Sequence, residues 1–156
     1  MDINYKKTKM IKGIDHLHSA NRYAILVLLL IVIFTSYKKW KSKQEYTNQD
    51  DKLNLITFIL THIQLLGGLI LYFMGSKVIF NENTMSDRVL RFFAVEHLFG
   101  MLIAIALITI VRIKLKKISD PTAKHKKTFV FYLIALLIIL ISIPWPFYNV
   151  GVGEWF

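Results

Sequence analysis

The sequence predicts an all-α integral membrane protein, folded as an up-down bundle of four transmembrane helices. Of its 156 residues, 54% are apolar, and they are concentrated in four blocks. A membrane-spanning helix needs about 20 mostly apolar residues, so four spans need about 80. The net charge of +10 lies mainly between the blocks, where it would face lipid headgroups. A soluble enzyme does not show this pattern, and we interpret residues 1–156 as a single four-span domain.

The first span is predicted over about residues 17–37, after a short basic N-terminal tail at 1–16. Its apolar run, Ala24 to Ser36, is too short to cross a bilayer, so the helix must begin near Leu17. The lysine-rich segment that follows, residues 38–41, resembles an interfacial stop rather than the end of a signal peptide. We therefore expect this segment to be a retained anchor.

The other three spans are predicted over about residues 53–74, 89–111 and 127–143. Gly75 ends the second span, a basic run ends the third, and Pro144 ends the fourth. The residues after Pro144 predict an aromatic anchor at the membrane interface, made of Trp145, Phe147 and Tyr148. The loops are short, as in an up-down bundle.

The distribution of basic residues predicts the orientation. The two lysine-rich loops and their flanks carry 12 Lys and Arg residues, against 8 on the face that holds both termini. Because cytoplasmic loops carry the excess of Lys and Arg, we expect these loops in the cytoplasm and both termini outside.

Several kinds of chemistry are excluded or disfavoured by the sequence. There is no cysteine, so disulfides, Cys-ligated metal centres and thiol nucleophiles are excluded. No nucleophile–base pair or phosphate-binding glycine loop is present, which argues against a hydrolase or kinase. The basic residues do not form a recognisable nucleic-acid module, so nucleic acid is not an expected partner.

Polar side chains inside the predicted spans are the candidate functional residues, because they are costly in lipid. His18, Asn21 and Arg22 form a stripe on span 1, His62 lies near the middle of span 2, and Glu96 and His97 lie on span 3. The preferred pair of metal ligands is His62 with His97, and His18 with His97 is the competing pair. His125 lies at the opposite membrane face and cannot join either.

Two histidines on opposing helices of a four-helix bundle can hold the iron of a b-type haem. His97 shares its helix face with Gly100 and Ala104, which would let a flat ring approach. Arg22 would then lie near the haem propionates. We expect Glu96 to form an ion pair with Arg22. Alternatively, it could relay protons or form a hydrogen bond to a histidine that binds the metal. Asn21 and Gln64 are expected to assist as hydrogen-bonding residues around the same histidines.

Span 2 carries a second polar face, formed by Gln64, Gly67 and Gly68, opposite His62. Either span 2 is central in the bundle, or these residues meet a second protomer or another membrane protein.

Four stretches of the sequence resemble one known family. They are residues 16–23 (HLHSANRY), 62–69 (HIQLLGGL), 96–101 (EHLFGM) and 142–147 (SIPWPF). Together they resemble small four-span inner-membrane proteins of Bacteroidetes, which are often labelled cytochrome b. The resemblance covers nearly the whole chain, and it implies an inner membrane whose outer face is the periplasm. It also implies haem, by analogy, with ligands among His18, His62 and His97.

The leading hypothesis is an inner-membrane protein that binds b-type haem and carries single electrons, in exchange with a quinone. The main alternative is a haem-free accessory or assembly subunit of a larger membrane complex. A proton- or metal-coupled transporter is a weaker third, since four spans without an inverted repeat make a poor alternating-access machine.

Overall fold

The computed structural model describes residues 3–146, and every regular element within them is a helix. The four long helices are α1 (Ile3–Lys41), α2 (Asn48–Met74), α3 (Arg88–Leu115) and α4 (Pro121–Ser142). Each is long and apolar enough to cross a membrane, which confirms the all-α four-helix bundle and a multi-pass membrane protein. Two of the predicted anchor residues, Phe147 and Tyr148, lie outside the described residues.

Helix α1 is longer than the predicted span, because it begins at Ile3 instead of near Leu17. Residues 3–16, predicted as part of a tail, contain no proline and include four lysines, which are good helix formers. At 1.5 Å per residue α1 is about 58 Å long, against about 30 Å for the hydrocarbon core. Its first turns therefore extend beyond the span, where Lys6 and Lys7 are exposed.

Two other helices also begin before their predicted spans, because polar residues cap them. Thr47 accepts a hydrogen bond from the amide of Asp50, whose carboxylate accepts one from the amide of Thr47, so α2 starts at Asn48. Asp120 caps α4, and Pro121 occupies its first turn. The other end of α4 agrees with the prediction, since Pro144 cannot continue the helix.

The helices pack in a ring. α1 contacts α2 and α4, α4 contacts α3, and α2 touches α3 less extensively. The apolar core is formed by α1, α3 and α4, with fully or almost fully buried residues including Leu29, Val32, Ile108, Val111, Tyr132 and Ala135. Large apolar side chains on the outside of the bundle, such as Phe34 and Leu66, face the lipid.

Helix α2 differs from the others because the side chains that it buries are polar: Asp50, Asn54, Thr57 and Thr61. The hydroxyls of Thr57 and Thr61 donate to the carbonyls of Leu53 and Phe58 in their own helix. The buried threonines therefore have hydrogen-bond partners within α2, as buried polar groups in a membrane require. The most exposed apolar residues of α2, such as Leu66 and Phe73, lie on its outer surface, whereas Leu53, Phe58 and Leu60 pack, partly buried, against the apolar core.

The two ends of the bundle differ in charge. We call the end with loops 42–47 and 116–120 the basic end, and the opposite end the cavity end. At the basic end Arg112 of α3 forms a two-pronged ion pair with Asp51, and Lys39 binds the buried Asp50 at 2.7 Å. Tyr46, in the loop between α1 and α2, packs over this region, and burial followed by the nearby Asp51 raises its pKa to about 12.

Candidate functional site

A cavity of about 200 Å³ lies at the cavity end, and all four helices contribute to its walls. Its polar wall includes His18 and Arg22 from α1, Thr61 and Gln64 from α2, and His97 from α3. Its apolar wall includes Phe93, Met101, Ile105 and Ile139. The cavity therefore combines a mostly hydrophobic surface with a few convergent polar groups, which is typical of small-molecule and cofactor sites.

His97 is held by the end of α4. Its Nδ1 lies 2.7 Å from the carbonyl oxygen of Ser142, which can only accept a hydrogen bond, so Nδ1 carries the proton. In a helix this carbonyl would accept from the amide four residues later, but that residue is Pro146, which has no N–H. The carbonyl is thus left for His97, and the Nε2 of His97 keeps its lone pair for a ligand.

His18 packs against the glycine pair of α2. A Cβ added to Gly68 would lie 3.1 Å from the Cε1 of His18, and one added to Gly67 would lie 3.6 Å from its Nδ1. Any larger residue at 68 would therefore crowd the imidazole. The Nδ1 of His18 is buried and has no hydrogen-bond partner within residues 3–146. Since buried polar atoms usually have a partner, this nitrogen calls for an explanation.

Asn21 and Gln64 clamp α1 to α2 next to this cavity. The Nδ2 of Asn21 donates to the Oε1 of Gln64 at 2.9 Å and to the carbonyl of Leu60 at 3.1 Å. The Nε2 of Gln64 donates to the carbonyl of His18 at 2.9 Å. Both side chains therefore hold the helix that carries His18 against α2.

The structure does not bring His62 to the cavity. Its Nδ1 lies 2.8 Å from the carbonyl of Phe58, and its Nε2 lies 3.4 Å from the Oγ1 of Thr109 on α3. The preferred pair His62–His97 is thus not assembled, whereas the competing pair His18–His97 lines one cavity. The reason is the rotation of α2, which turns Gln64 and the glycines towards α1 and His62 towards α3.

Glu96 pairs with Arg91 and not with Arg22, which corrects the expected pairing. The Nε of Arg91 lies 2.8 Å from the Oε1 of Glu96, and both side chains are substantially exposed. Residues 92–96 of α3 are π-helical, and a π-helical turn brings residues five apart together. Arg22 instead stacks on Tyr23, with its Cζ 4.8 Å from the ring centroid, and lines the cavity.

The surface predicted for a second protomer or partner is used within the chain. Gln64 is bonded to α1 through both ends of its amide, and Gly67 and Gly68 face the ring of His18. These residues therefore contact α1 of the same chain instead of a second protein. Helix α2 is not central in the bundle either, because it has one neighbour on each side in the ring and touches α3 less extensively.

The sequence did not predict two residues that contribute to the cavity site, Ser142 and Tyr72. Ser142 acts through its backbone carbonyl, and the signal was its position four residues before Pro146. Tyr72 lines the cavity and donates its hydroxyl to the carbonyl of Ala94 at 2.9 Å, within the π-helical segment. No sequence pattern indicates that contact. His125 lies at the basic end as expected, fully buried, with its Nε2 3.3 Å from the carbonyl of Glu45.

The described part of the chain contains no group of three or more His, Asp or Glu side chains that could hold a metal ion by themselves. A metal at the cavity would therefore depend on two imidazoles and a cofactor that supplies the remaining ligands. Comparisons with protein-family models, curated proteins and solved structures find no match to this chain.

Proposed function

We propose that this protein binds a b-type haem in the cavity and carries single electrons within the membrane. The iron ligands are His18 and His97, and Arg22 binds a propionate. The observation that carries the proposal is that two imidazoles from different helices, α1 and α3, line one mostly apolar cavity. His62 is not a ligand in this proposal.

The donor groups fit a haem. His97 has its Nδ1 bonded to a carbonyl, as metal-binding histidines usually do, which leaves Nε2 as the ligand. His18 has a buried nitrogen without a partner, and Arg22 is a cation on the same wall. When bound between two histidines, a haem supplies reversible one-electron chemistry. The chain's own residues hold it, orient it and exclude water.

The volume sets a condition on this proposal. At about 200 Å³ the cavity is smaller than pockets for drug-sized ligands, which occupy about 300–1,000 Å³. A haem therefore requires the surrounding helices to separate. The less extensive contact between α2 and α3 is where such a separation disrupts least packing.

A quinone is the redox partner that this setting favours, because it is a lipid-soluble carrier and would reach the cavity from the bilayer. We further propose that the protein lies in a bacterial inner membrane with the cavity end on the periplasmic side. The excess of Lys and Arg at the other end supports this orientation.

The first experiment is a dithionite-reduced minus oxidised absorbance spectrum of the detergent-purified protein, with a pyridine haemochrome assay for stoichiometry. We expect sharp α and Soret bands at about one haem per chain, as for an iron held by two histidines. A featureless spectrum from folded, membrane-inserted protein that was expressed with ample haem would reject the proposal.

Histidine variants then test the ligand assignment. We expect His18→Ala and His97→Ala each to lose the bis-histidine spectrum while α-helical content is retained. His62→Ala is the matched control, because it also removes an imidazole inside a span but not from the cavity wall. Loss of the spectrum in His62→Ala, with His18→Ala unaffected, would restore the pair His62–His97.

A second candidate is a haem-free accessory or assembly subunit of a larger membrane complex. It is favoured by the small cavity and by the way Asn21, Gln64 and His62 all bond to neighbouring helices, as polar residues do when they hold a membrane bundle together. Under this proposal the spectrum is featureless, and His97→Ala lowers the thermal stability instead. A partner would bind the lipid-facing surface outside Gln64 and the glycine pair.

A further inference from the structure

An open apolar groove of about 370 Å³ lies between α1 and α4 at the basic end, far from the histidine cavity. It is lined by Leu30, Ile33, Phe34 and Tyr37 of α1 and by Phe129 of α4. The α1 residues recur every three or four positions, so they form one stripe along the helix. From Leu30 to Tyr37 the stripe is about 10 Å long at 1.5 Å per residue, enough to hold part of a lipid acyl chain.

Aromatic rings close the groove at its outer end. The ring centroids of Tyr37 and Phe129 lie 5.2 Å apart, and those of Trp40 and Phe129 lie 5.8 Å apart. Tyr37 and Trp40 lie near the end of α1, and Phe129 lies in the third turn of α4, on the side of the basic loops. Amphipathic aromatic rings at this depth mark the boundary between hydrocarbon and headgroups.

Two ammonium groups from different helices lie over one of these rings. The Nζ of Lys41 is 4.5 Å from the centroid of Trp40, and the Nζ of Lys126 is 5.7 Å from the same centroid. Neither lysine forms a salt bridge with any residue in the described range 3–146. Two positive charges therefore lie over one ring at the headgroup end of an apolar groove, without a counter-ion among residues 3–146.

We propose that this groove is a binding site for one anionic phospholipid, with an acyl chain along Leu30–Tyr37 and the phosphate between Lys41 and Lys126. Charge complementarity favours an anionic lipid over a zwitterionic one, since basic residues near the membrane surface attract acidic headgroups. The same complementarity argues against a second copy of this chain, whose net charge is +10. The proposal does not depend on haem binding.

The test is native mass spectrometry of the full-length, delipidated protein, titrated with phosphatidylglycerol and with phosphatidylcholine of the same acyl chains. We expect phosphatidylglycerol to bind at least about tenfold more tightly. The double variant Lys41→Gln with Lys126→Gln should reduce that affinity roughly tenfold or more and leave phosphatidylcholine binding unchanged. Both lysines are exposed, so the fold should survive, and circular dichroism in detergent checks this.

The matched control is Lys116→Gln with Lys117→Gln, which removes the same charge from an exposed part of the basic end outside the groove. It should keep the preference for phosphatidylglycerol. An equal loss in both double variants would show diffuse attraction by the whole basic end and overturn the site. Equal affinity for the two lipids would also overturn the site. A dimer signal that disappears in Phe34→Glu would overturn it as well, because the groove would then bind a second copy of the chain.

Discussion

At the residue scale, the two cavity histidines are held by different features of the backbone. His97 uses a helix-end carbonyl that Pro146 cannot satisfy, and His18 occupies space that Gly67 and Gly68 leave open. Both arrangements depend on a group that a residue lacks. Pro146 has no N–H, and Gly67 and Gly68 have no Cβ. Such residues carry little signal in a hydropathy profile, yet they fix where the imidazoles lie.

Gly100 provides the sharpest test of this close packing. A Cβ at position 100 would overlap the side chain of Ser142, the residue whose carbonyl holds His97. We therefore expect Gly100→Ala to destabilise the protein by about 1–3 kcal/mol, the usual cost of overpacking a tight contact. Thermal unfolding in detergent, followed by circular dichroism, measures the change.

Gly13→Ala is the control for Gly100→Ala. Gly13 lies in the exposed first part of α1, and a Cβ there would meet nothing within 4 Å. Alanine favours a helix over glycine, so this variant should be neutral or stabilising by up to about 1 kcal/mol. If both variants behave alike, the contact between Gly100 and Ser142 does not limit the packing of α3 on α4.

The candidate residues were predictable as a set, but their pairing was not. Their cost in lipid identified His18, His62 and His97, whereas the choice between the two ligand pairs depended on the rotation of α2 about its axis. The preferred pair therefore failed to assemble. A usable signal was present, because the polar or small residues of α2 recur every three or four positions at 54, 57, 61, 64 and 68. That spacing marks the buried face of α2.

At the element scale, the π-helical segment of α3 explains the corrected pairing of Glu96. In a regular α-helix, residues 91 and 96 would project in different directions, because neighbours on a helix face are three or four residues apart. The segment 92–96 brings them together and also presents the carbonyl of Ala94 to Tyr72. Single π-helical turns are frequent at functional sites, and this one directly precedes His97.

We expect the pair Arg91–Glu96 to contribute little to stability. The side chains are 35% and 48% exposed, and exposed ion pairs are worth about 0–1 kcal/mol. Glu96→Gln should therefore lower the free energy of unfolding by less than about 1 kcal/mol and leave the spectrum of the proposed haem unchanged. Equilibrium unfolding and the reduced spectrum check the two halves of this expectation.

A different outcome for Glu96→Gln would return this residue to a functional role. A normal spectrum combined with a slowed or pH-shifted reoxidation by a water-soluble quinone would indicate a proton relay. Arg91→Gln is the partner control, since loss of the ion pair alone should give the same small change in both variants.

At the scale of the whole molecule, hydropathy was enough to predict four helices and their approximate positions, because each span needs about 20 apolar residues. The helix starts were less predictable, since α1 continues through residues 3–16 and polar caps start α2 and α4 before the apolar blocks. The ring order of the helices was not predictable at all. It depends on which faces meet, and α2 buries polar residues where a soluble protein would bury apolar ones.

The charge distribution predicts how the whole molecule is oriented in the membrane. The orientation in turn determines which compartment the cavity end faces. The chain has no cysteine, so single cysteines can report it without a background. Ser86 is exposed in the loop at the cavity end, and Ser119 is exposed in the loop at the basic end. In intact spheroplasts, a membrane-impermeant maleimide should label Ser86→Cys. It should label Ser119→Cys only after lysis, because loops rich in Lys and Arg stay in the cytoplasm.

Each variant serves as the control for the other, since both replace an exposed serine in a loop between spans. The reverse labelling pattern would place the cavity end in the cytoplasm, and any redox partner in the aqueous phase would then have to be sought there instead of in the periplasm.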